Sequence, residues 1–247
     1  MIFSDGHWLD CFSTGGSGLI GKALCKRLFK EKHIGLYNID LRNNRAINDI
    51  NRMDMFPRTE KVDILFHLAS PVKINRCIKY PALANQDIAN GTFQVLEFCR
   101  ENKIPKVVYF SSSRVLSKEK NPYVAAKIYS EELVKAYSKC YGLKYLIIRP
   151  STVYGPGKDK SNRLINKWIW NAKEDRDIGI YGDKNKTLSF TYIDDFIDGL
   201  MKALKDGWNK EYNICGKEEK LSIVAKRIKK LTNSDSEIFY PDMKKDK

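Results

Sequence analysis

The chain has 247 residues, 43% of them hydrophobic, enough to bury one large core or one core with a small lobe. No apolar run nears the roughly 18 residues that a membrane span requires, and the strand-like run Leu146-Ile147-Ile148 stops at Arg149, so no membrane partner is expected. A net charge of +14 raises nucleic-acid binding, but the basic residues are interleaved with acids along the whole chain. The densest run, Lys226-Arg227-Ile228-Lys229-Lys230, reads as the solvated face of a helix, so no nucleic-acid partner is expected either.

The segment Met1-Ile2-Phe3-Ser4-Asp5-Gly6-His7 has neither the basic start nor the apolar stretch of a secretory leader, which points to the cytoplasm. The cysteines (Cys11, Cys25, Cys77, Cys99, Cys140, Cys215) are widely spaced and lack a neighbouring histidine set. They predict reduced, mostly buried thiols, no disulfide framework and no metal site.

In chain order, short apolar strands at 9–13, 34–40, 62–68, 105–111 and 143–149 alternate with amphipathic helices near 19–30, 83–102 and 123–140. This is the signature of an α/β fold, a Rossmann-type doubly wound parallel sheet covered on both faces. The first strand, Leu9-Asp10-Cys11-Phe12-Ser13, is less apolar than a central parallel strand normally is. It runs into Thr14-Gly15-Gly16-Ser17-Gly18-Leu19-Ile20-Gly21 and then a helix. Glycines at 15, 18 and 21 permit a tight turn, close approach of backbone to a pyrophosphate and close helix packing. The helix start offers free N–H groups, so Gly15, Gly18, Leu19, Ile20 and Gly21 form a dinucleotide-binding set.

Asp40 ends the second strand, 19 residues past Gly21, where a carboxylate can accept hydrogen bonds from ribose hydroxyls. A 2′-phosphate would be repelled there, which favours NAD over NADP, although Arg42 leaves room for dual use. The third strand ends in His67-Leu68-Ala69-Ser70-Pro71 at the edge where ligands of open α/β sheets bind, with His67 read as structural. The fourth runs into Ser111-Ser112-Ser113, just before a helix bearing Tyr123 and Lys127 one turn apart on one face. Tyr-x-x-x-Lys spacing also arises by chance, as at Tyr240 and Lys244. Its order after a glycine loop, a strand-end acid and a serine cluster sets the first pair apart.

Past Pro156-Gly157 the chain becomes polar and lysine-rich, with a helix near 162–172 followed by short strands and helices. The predicted division is a dinucleotide-binding domain at 1–155, with chain crossings to the rest, and a small, incomplete substrate lobe at 156–247.

These residues resemble the extended short-chain dehydrogenases/reductases, specifically the NAD-dependent epimerase/dehydratase family acting on nucleotide sugars. Further matches are Asp54-Met55, Arg149-Pro150-Ser151-Thr152-Val153-Tyr154-Gly155-Pro156-Gly157, Phe190-Thr191-Tyr192-Ile193-Asp194-Asp195 and Tyr212-Asn213-Ile214-Cys215-Gly216. The resemblance implies Asp54 and Met55 at the adenine, Leu68 and Ala69 along the pyrophosphate, and Pro150 with Ser151 near the nicotinamide. Tyr123 becomes the acid/base and Lys127 its electrostatic partner. Anchoring Ser-Ser-Arg-Val on the family's hydroxyl-x-x-Val pattern makes Ser112 the catalytic hydroxyl, with Ser113 close behind and Thr152 in the substrate site. Lys127 and an oxidised nicotinamide, both positive, should lower the Tyr123 pKa.

The resemblance has departures. Dehydratases carry an Asp-Glu pair after the catalytic hydroxyl and decarboxylases a Glu nearby, whereas Ser113 and Arg114 stand here. Thr152 and Leu188 replace an Asn and an Arg that contact the nucleotide diphosphate, with Lys184 or Lys186 as substitutes for the lost charge. The segment from Ser112 to Tyr123 is short, which opens the sugar pocket, and the chain stops at Met243-Lys244-Lys245-Asp246-Lys247 like a truncated member. The expected function is an NAD-dependent nucleotide-sugar epimerase of the 4-epimerase kind, an isomerase acting on a UDP-, dTDP- or GDP-linked sugar. A reductase or dehydratase of the same family, and a catalytically silent dinucleotide-binding regulator, are the alternatives. A homodimer through the 123–140 and 83–102 helices is also implied.

Overall fold

The computed structural model describes residues 9–31, 34–39, 61–71, 73–156, 163–181, 183 and 185–241. Strands β1 (Leu9–Thr14), β2 (Ile34–Ile39), β3 (Ile64–His67), β4 (Lys106–Phe110) and β5 (Lys144–Pro150) follow the predicted alternation. With β9 (Lys210–Ile214) they build a parallel sheet ordered β2-β1-β3-β4-β5-β9. The chain leaves β1 for β2 on one side and returns to β3 on the other. The crevice beyond the carboxyl ends of β1 and β3 is therefore the topological switch point, where open sheets of this kind bind ligands.

Strand residues bury alternately to the two faces, as their two-residue period requires. Ile64, Phe66, Val108 and Ile148 join one core with α1 (Leu19–Leu28) and α7 (Ile193–Asp206), whereas Leu65, Val107, Tyr109 and Ile147 join the opposite core with α4 (Gly91–Glu101) and α5 (Pro122–Tyr141). Polar residues at the end of β1 find partners within the sheet. The Ser13 hydroxyl donates to Asn38 Oδ1 at 3.1 Å, and Thr14 Oγ1 lies 2.7 Å from His67 Nδ1. That pairing explains how a strand of mixed polarity sits centrally.

The helix predicted over 83–102 is interrupted. α3 (Pro81–Ala84) leads into a π-helical turn at Asn85–Asn90 before α4. Within this turn the Ile88 carbonyl accepts from the Gly91 N–H and from the hydroxyls of Thr92 at 2.6 Å and Ser130 at 3.4 Å. A short α2 (Ile74–Lys79), absent from the sequence reading, lies just upstream; six residues are too few to show a period.

α7 packs on the large sheet and β9 pairs with β5 at its edge. In α7, Ile193, Phe196, Ile197, Leu200, Met201 and Leu204 form one buried stripe, and Asp194 and Asp195 sit in the first turn, where the helix dipole favours acids. The other C-terminal elements surround a separate core: β6 (Thr152–Tyr154), β8 (Thr187–Tyr192) and β10 (Lys217–Lys220) form a small sheet. α6 (Leu164–Lys173) and α8 (Leu221–Thr232) pack together through Ile165, Trp168, Ala225 and Ile228, and β7 (Ile178–Gly179) pairs with β11 (Ile238–Phe239). Lys226, Arg227 and Lys230 are exposed on α8 while Ile228 is buried, the solvated face expected of this run.

Arg149 fastens α5 to β5 and β9. Its guanidinium engages both carboxylate oxygens of Glu131 and reaches Glu211, which also holds Lys135 at 2.7 Å. Glu131 is only 4% exposed, so removing its partner strands a buried charge. Arg149→Met should cost about 3–5 kcal/mol in a urea unfolding titration. A cost under 1 kcal/mol would contradict this account of the joint.

The cysteines are free thiols: Cys11, Cys77 and Cys99 are buried, Cys25 is half-buried, and Cys140 and Cys215 are exposed. Among the described residues no helix is long and apolar enough to cross a membrane, and no cluster of three metal-binding side chains occurs.

Candidate functional site

The glycine turn follows β1. Gly15 adopts φ +78°, and a Cβ there would lie 2.8 Å from the backbone nitrogen of Ala69, so the β1 and β3 loops touch at the switch point. A Cβ on Gly21 would come within 2.5 Å of the Gly15 carbonyl oxygen. Gly18 differs. The nearest atom to its added Cβ is that same oxygen at 3.3 Å, so the fold itself leaves nearly enough room for a side chain. Asn38, not singled out by the sequence, braces this turn: its Oδ1 accepts from the Gly16 N–H at 3.0 Å as well as from Ser13.

His67 is structural, as expected. The Thr92 hydroxyl donates to Ile88, so His67 Nε2–H donates to Thr92 Oγ1 at 3.3 Å and Nδ1 accepts from Thr14 at 2.7 Å, the pattern of a neutral imidazole. Burial, with Lys127 nearby, lowers its pKa from 6.5 to about 3. An unfolded chain binds a proton in that interval and the folded chain does not, so stability present above pH 6.5 is lost as pH falls toward 3. Thermal melts should register a loss on the order of 4 kcal/mol between pH 6.5 and 3.5 from this group. His67→Gln should flatten the dependence, and an unchanged slope would contradict the assignment.

The Tyr/Lys helix is well defined at both ends. Asn121 Oδ1 caps it by accepting from the Val124 N–H at 3.1 Å, Pro122 occupies the first turn, and Gly142 closes it at φ +71°. Tyr123 rests on a small cluster of Cys77, Ala84, Ile88, Ala89 and Ala126. Lys127, 2% exposed, donates to the Phe110 carbonyl at 2.7 Å and lies 4.9 Å from the centre of the Tyr109 ring. Ser112 Oγ accepts from the Arg114 N–H at 3.2 Å. The adjacent Ser111 hydroxyl is buried without a hydrogen-bond partner among the described residues.

The electrostatics differ from the expectation that Lys127 draws the tyrosine pKa down. In the protein itself, burial pushes the Tyr123 hydroxyl up, opposed by its hydrogen bond with Ser112 and by the Arg114 charge. Burial also brings the Lys127 ammonium down to about 7, opposed by Glu131 one turn along. A desolvated amine cannot be taken as a full positive charge at neutral pH.

One cleft of about 950 Å³ runs across these elements. Gly15, Gly18, Leu19, Ile20, Gly21 and Leu68 line one end, Ser112, Ser113, Tyr123 and Lys127 the floor, and Pro150, Ser151 and Thr152 the far side. Ala69 packs behind Gly15 rather than on the wall. Asp40, Asp54, Met55 and Lys184 lie outside the described residues, as does Lys244 of the second Tyr/Lys pair. Arg163 at the start of α6 and Ser189 on β8 also line the cleft. Lys186, named above as a replacement cation, is not among the lining residues, whereas Arg163 is. No local pattern marks Arg163 or Ser189; only packing of the small sheet against the large one brings them in.

The motif stretches of the two halves meet here as well. Ser151 Oγ and Thr191 Oγ1 are 2.6 Å apart, and the Gly216 N–H donates to Thr191 Oγ1 at 2.8 Å. The features fit a bound dinucleotide: a glycine turn in which Gly18 lines the cleft with no protein atom closer than 3.3 Å to an added Cβ, a helix start facing the cleft, and a buried Ser111 hydroxyl without a partner among the described residues.

Known proteins share both sequence and shape with this chain. It is 28% identical over 271 residues to a UDP-N-acetyl-alpha-D-glucosaminuronate decarboxylase of Bacillus cytotoxicus, covering 95% of this chain and 84% of that protein. It is also 28% identical over 211 residues to a UDP-glucuronate 4-epimerase of Thermodesulfobacterium geofontis, covering 79% and 62%. The crystal structure of UDP-glucose 4-epimerase from Thermotoga maritima with UDP-glucose superposes with a TM-score of 0.85 at 21% identity, covering 96% of this chain and 87% of that one. Residues 12–215 match the model of the NAD dependent epimerase/dehydratase family, and with the glycine cradle and the Ser/Tyr/Lys floor in one cleft, the chain belongs to that family.

Proposed function

We propose that this protein is an NAD-dependent nucleotide-sugar 4-epimerase that acts by transient oxidation of a sugar hydroxyl. The observation that carries the reading is the meeting of Ser112, Tyr123 and Lys127 on the floor of a cleft whose other end is the glycine turn. Gly15, Gly18, Leu19, Ile20, Gly21, Leu68 and Pro150 would hold the dinucleotide, with Asp40, Asp54 and Met55 assigned to its adenosine half from sequence alone. Bound there, NAD would supply reversible hydride chemistry at the sugar carbon without net consumption.

The chain's own groups handle the proton. Tyr123 Oη takes it from the sugar hydroxyl and gives it back, a role general acid–base catalysis makes worth about 10²- to 10⁴-fold. Ser112 Oγ donates to the sugar oxygen as its charge changes. Lys127, fixed by the Phe110 carbonyl, holds a titrating ammonium near the tyrosine, and its pKa of about 7 lets it gain or lose a proton near neutral pH. Thr152, Ser189 and Arg163 are assigned to the nucleotide diphosphate.

Elimination chemistry is disfavoured because Ser113 and Arg114 follow Ser112 in place of an acid pair. A homodimer through α4 and α5 fits the exposure of Phe93 and Tyr129 on those helices. NAD-loaded protein incubated with UDP-glucuronate or UDP-glucose should give the galacto epimer without net NADH. Stoichiometric formation of NADH would make it a net dehydrogenase and overturn the epimerase reading.

A further inference from the structure

We propose that Arg114 reads a carboxylate on the sugar ring, so that the preferred substrate is a nucleotide-linked hexuronate rather than a neutral hexose. This rests on the 4-epimerase reading. Arg114 is the second residue of the 3₁₀ turn Ser113–Leu116, its N–H donates to Ser112 Oγ, and it lines the cleft with Ser112, Ser113 and Tyr123. Its half-buried guanidinium has no carboxylate within ion-pair distance among the described residues.

The other cations around it are engaged elsewhere. Lys120 Nζ is turned onto the carbonyls of Val115 at 3.2 Å and Ser117 at 2.9 Å, and Lys127 onto that of Phe110. The acid of the cleft, Glu218, stands on β10 and bonds the Thr187 hydroxyl. The wall near Tyr123 is thus positive by way of Arg114, whose charge reaches the tyrosine hydroxyl.

Ring chemistry says what such a cation faces. The group that exchanges a proton with Tyr123 and Ser112 is the hydroxyl on carbon 4. The nucleotide diphosphate leaves from carbon 1, across the ring, so a cation beside Tyr123 is poorly placed for it. Carbon 5, next to the oxidised carbon, carries the exocyclic group. In a neutral hexose that group is a hydroxymethyl, which leaves a half-desolvated guanidinium without an anion. In a hexuronate it is a carboxylate, whose two oxygens match the fork of an arginine.

The test is calorimetric binding of UDP-glucuronate and UDP-glucose to the NAD-loaded protein at pH 7.5, for the parent, Arg114→Met and Arg114→Lys. The parent should bind UDP-glucuronate about 10- to 100-fold more tightly, the range expected of one charge-assisted contact. Arg114→Met should bring the two affinities to within about 3-fold of each other, and Arg114→Lys should keep part of the preference. Equal affinities in the parent, binding of neither sugar nucleotide, a preference that survives Arg114→Met, or equal weakening of both ligands would overturn the proposal. Since binding is read rather than turnover, an affinity ratio of the expected kind without epimerisation would strike only the 4-epimerase reading.

Discussion

Tyr123→Phe should lower kcat for sugar interconversion by about 10³-fold while leaving NAD affinity and the melting temperature nearly unchanged. The ring of Tyr123 makes the packing contacts, against Cys77, Ala84, Ile88, Ala89 and Ala126, and phenylalanine keeps that ring. What disappears is the hydroxyl, its hydrogen bond with Ser112 and its proton. Loss of one such buried hydroxyl costs about 1 kcal/mol, a small shift in melting temperature. Single-turnover kinetics with bound cofactor would separate chemistry from release. Turnover within about tenfold of the parent would remove the tyrosine from the proton path.

Gly18→Val is the second large effect, and it falls on binding alone. Gly18 and its neighbours Leu19 and Ile20 line the cleft at the start of a ten-residue helix, where N–H groups are available to an anion. An added Cβ comes within 3.3 Å of the Gly15 carbonyl oxygen, so the turn must give by only a few tenths of an ångström. It would occupy the space through which a pyrophosphate approaches the backbone. NAD affinity should fall by roughly 100-fold or more, about 3 kcal/mol, with the melting temperature of the ligand-free protein preserved. Gly15→Val and Gly21→Val should instead impair folding, since their Cβ atoms strike backbone. Titration of NAD against the Gly18→Val variant, with a melt of the same sample, distinguishes a ligand-facing glycine from a packing one. An affinity within threefold of the parent would contradict the placement.

The alternation of strands and helices was legible because a parallel sheet buried on both faces writes apolar runs such as Ile64-Leu65-Phe66 and Val107-Val108-Tyr109-Phe110 directly into the chain. The glycine turn and the Tyr/Lys helix were legible for a related reason: each is local, set by backbone freedom in one case and by a single helical turn in the other. The interruption at Asn85–Asn90 was hidden, since a π turn changes hydrogen bonding and leaves the hydrophobic pattern almost intact. Asn38 and Arg163 were hidden because each acts on a segment distant in sequence, Asn38 across the sheet to Gly16 and Arg163 from the second core into the cleft.

Electrostatics was the least readable level. Proximity of Lys127 to Tyr123 follows from spacing, but its burial to 2% exposure does not, and burial is what brings the amine to about 7. The same holds for Arg114. Its place after Ser112 was plain from the chain, whereas the engagement of Lys120 and Lys127 by carbonyls and the place of Arg114 in the cleft lining needed the folded structure.

The central claim is that a hydrogen leaves the sugar's carbon 4 as hydride and comes back to the same carbon. Mass spectrometry of the epimer formed from UDP-glucuronate bearing deuterium at carbon 4, in ordinary water with NAD-loaded protein, tests it most directly. The account predicts that the product keeps its deuterium, with no net NADH formed. Replacement of that deuterium by solvent hydrogen would contradict it.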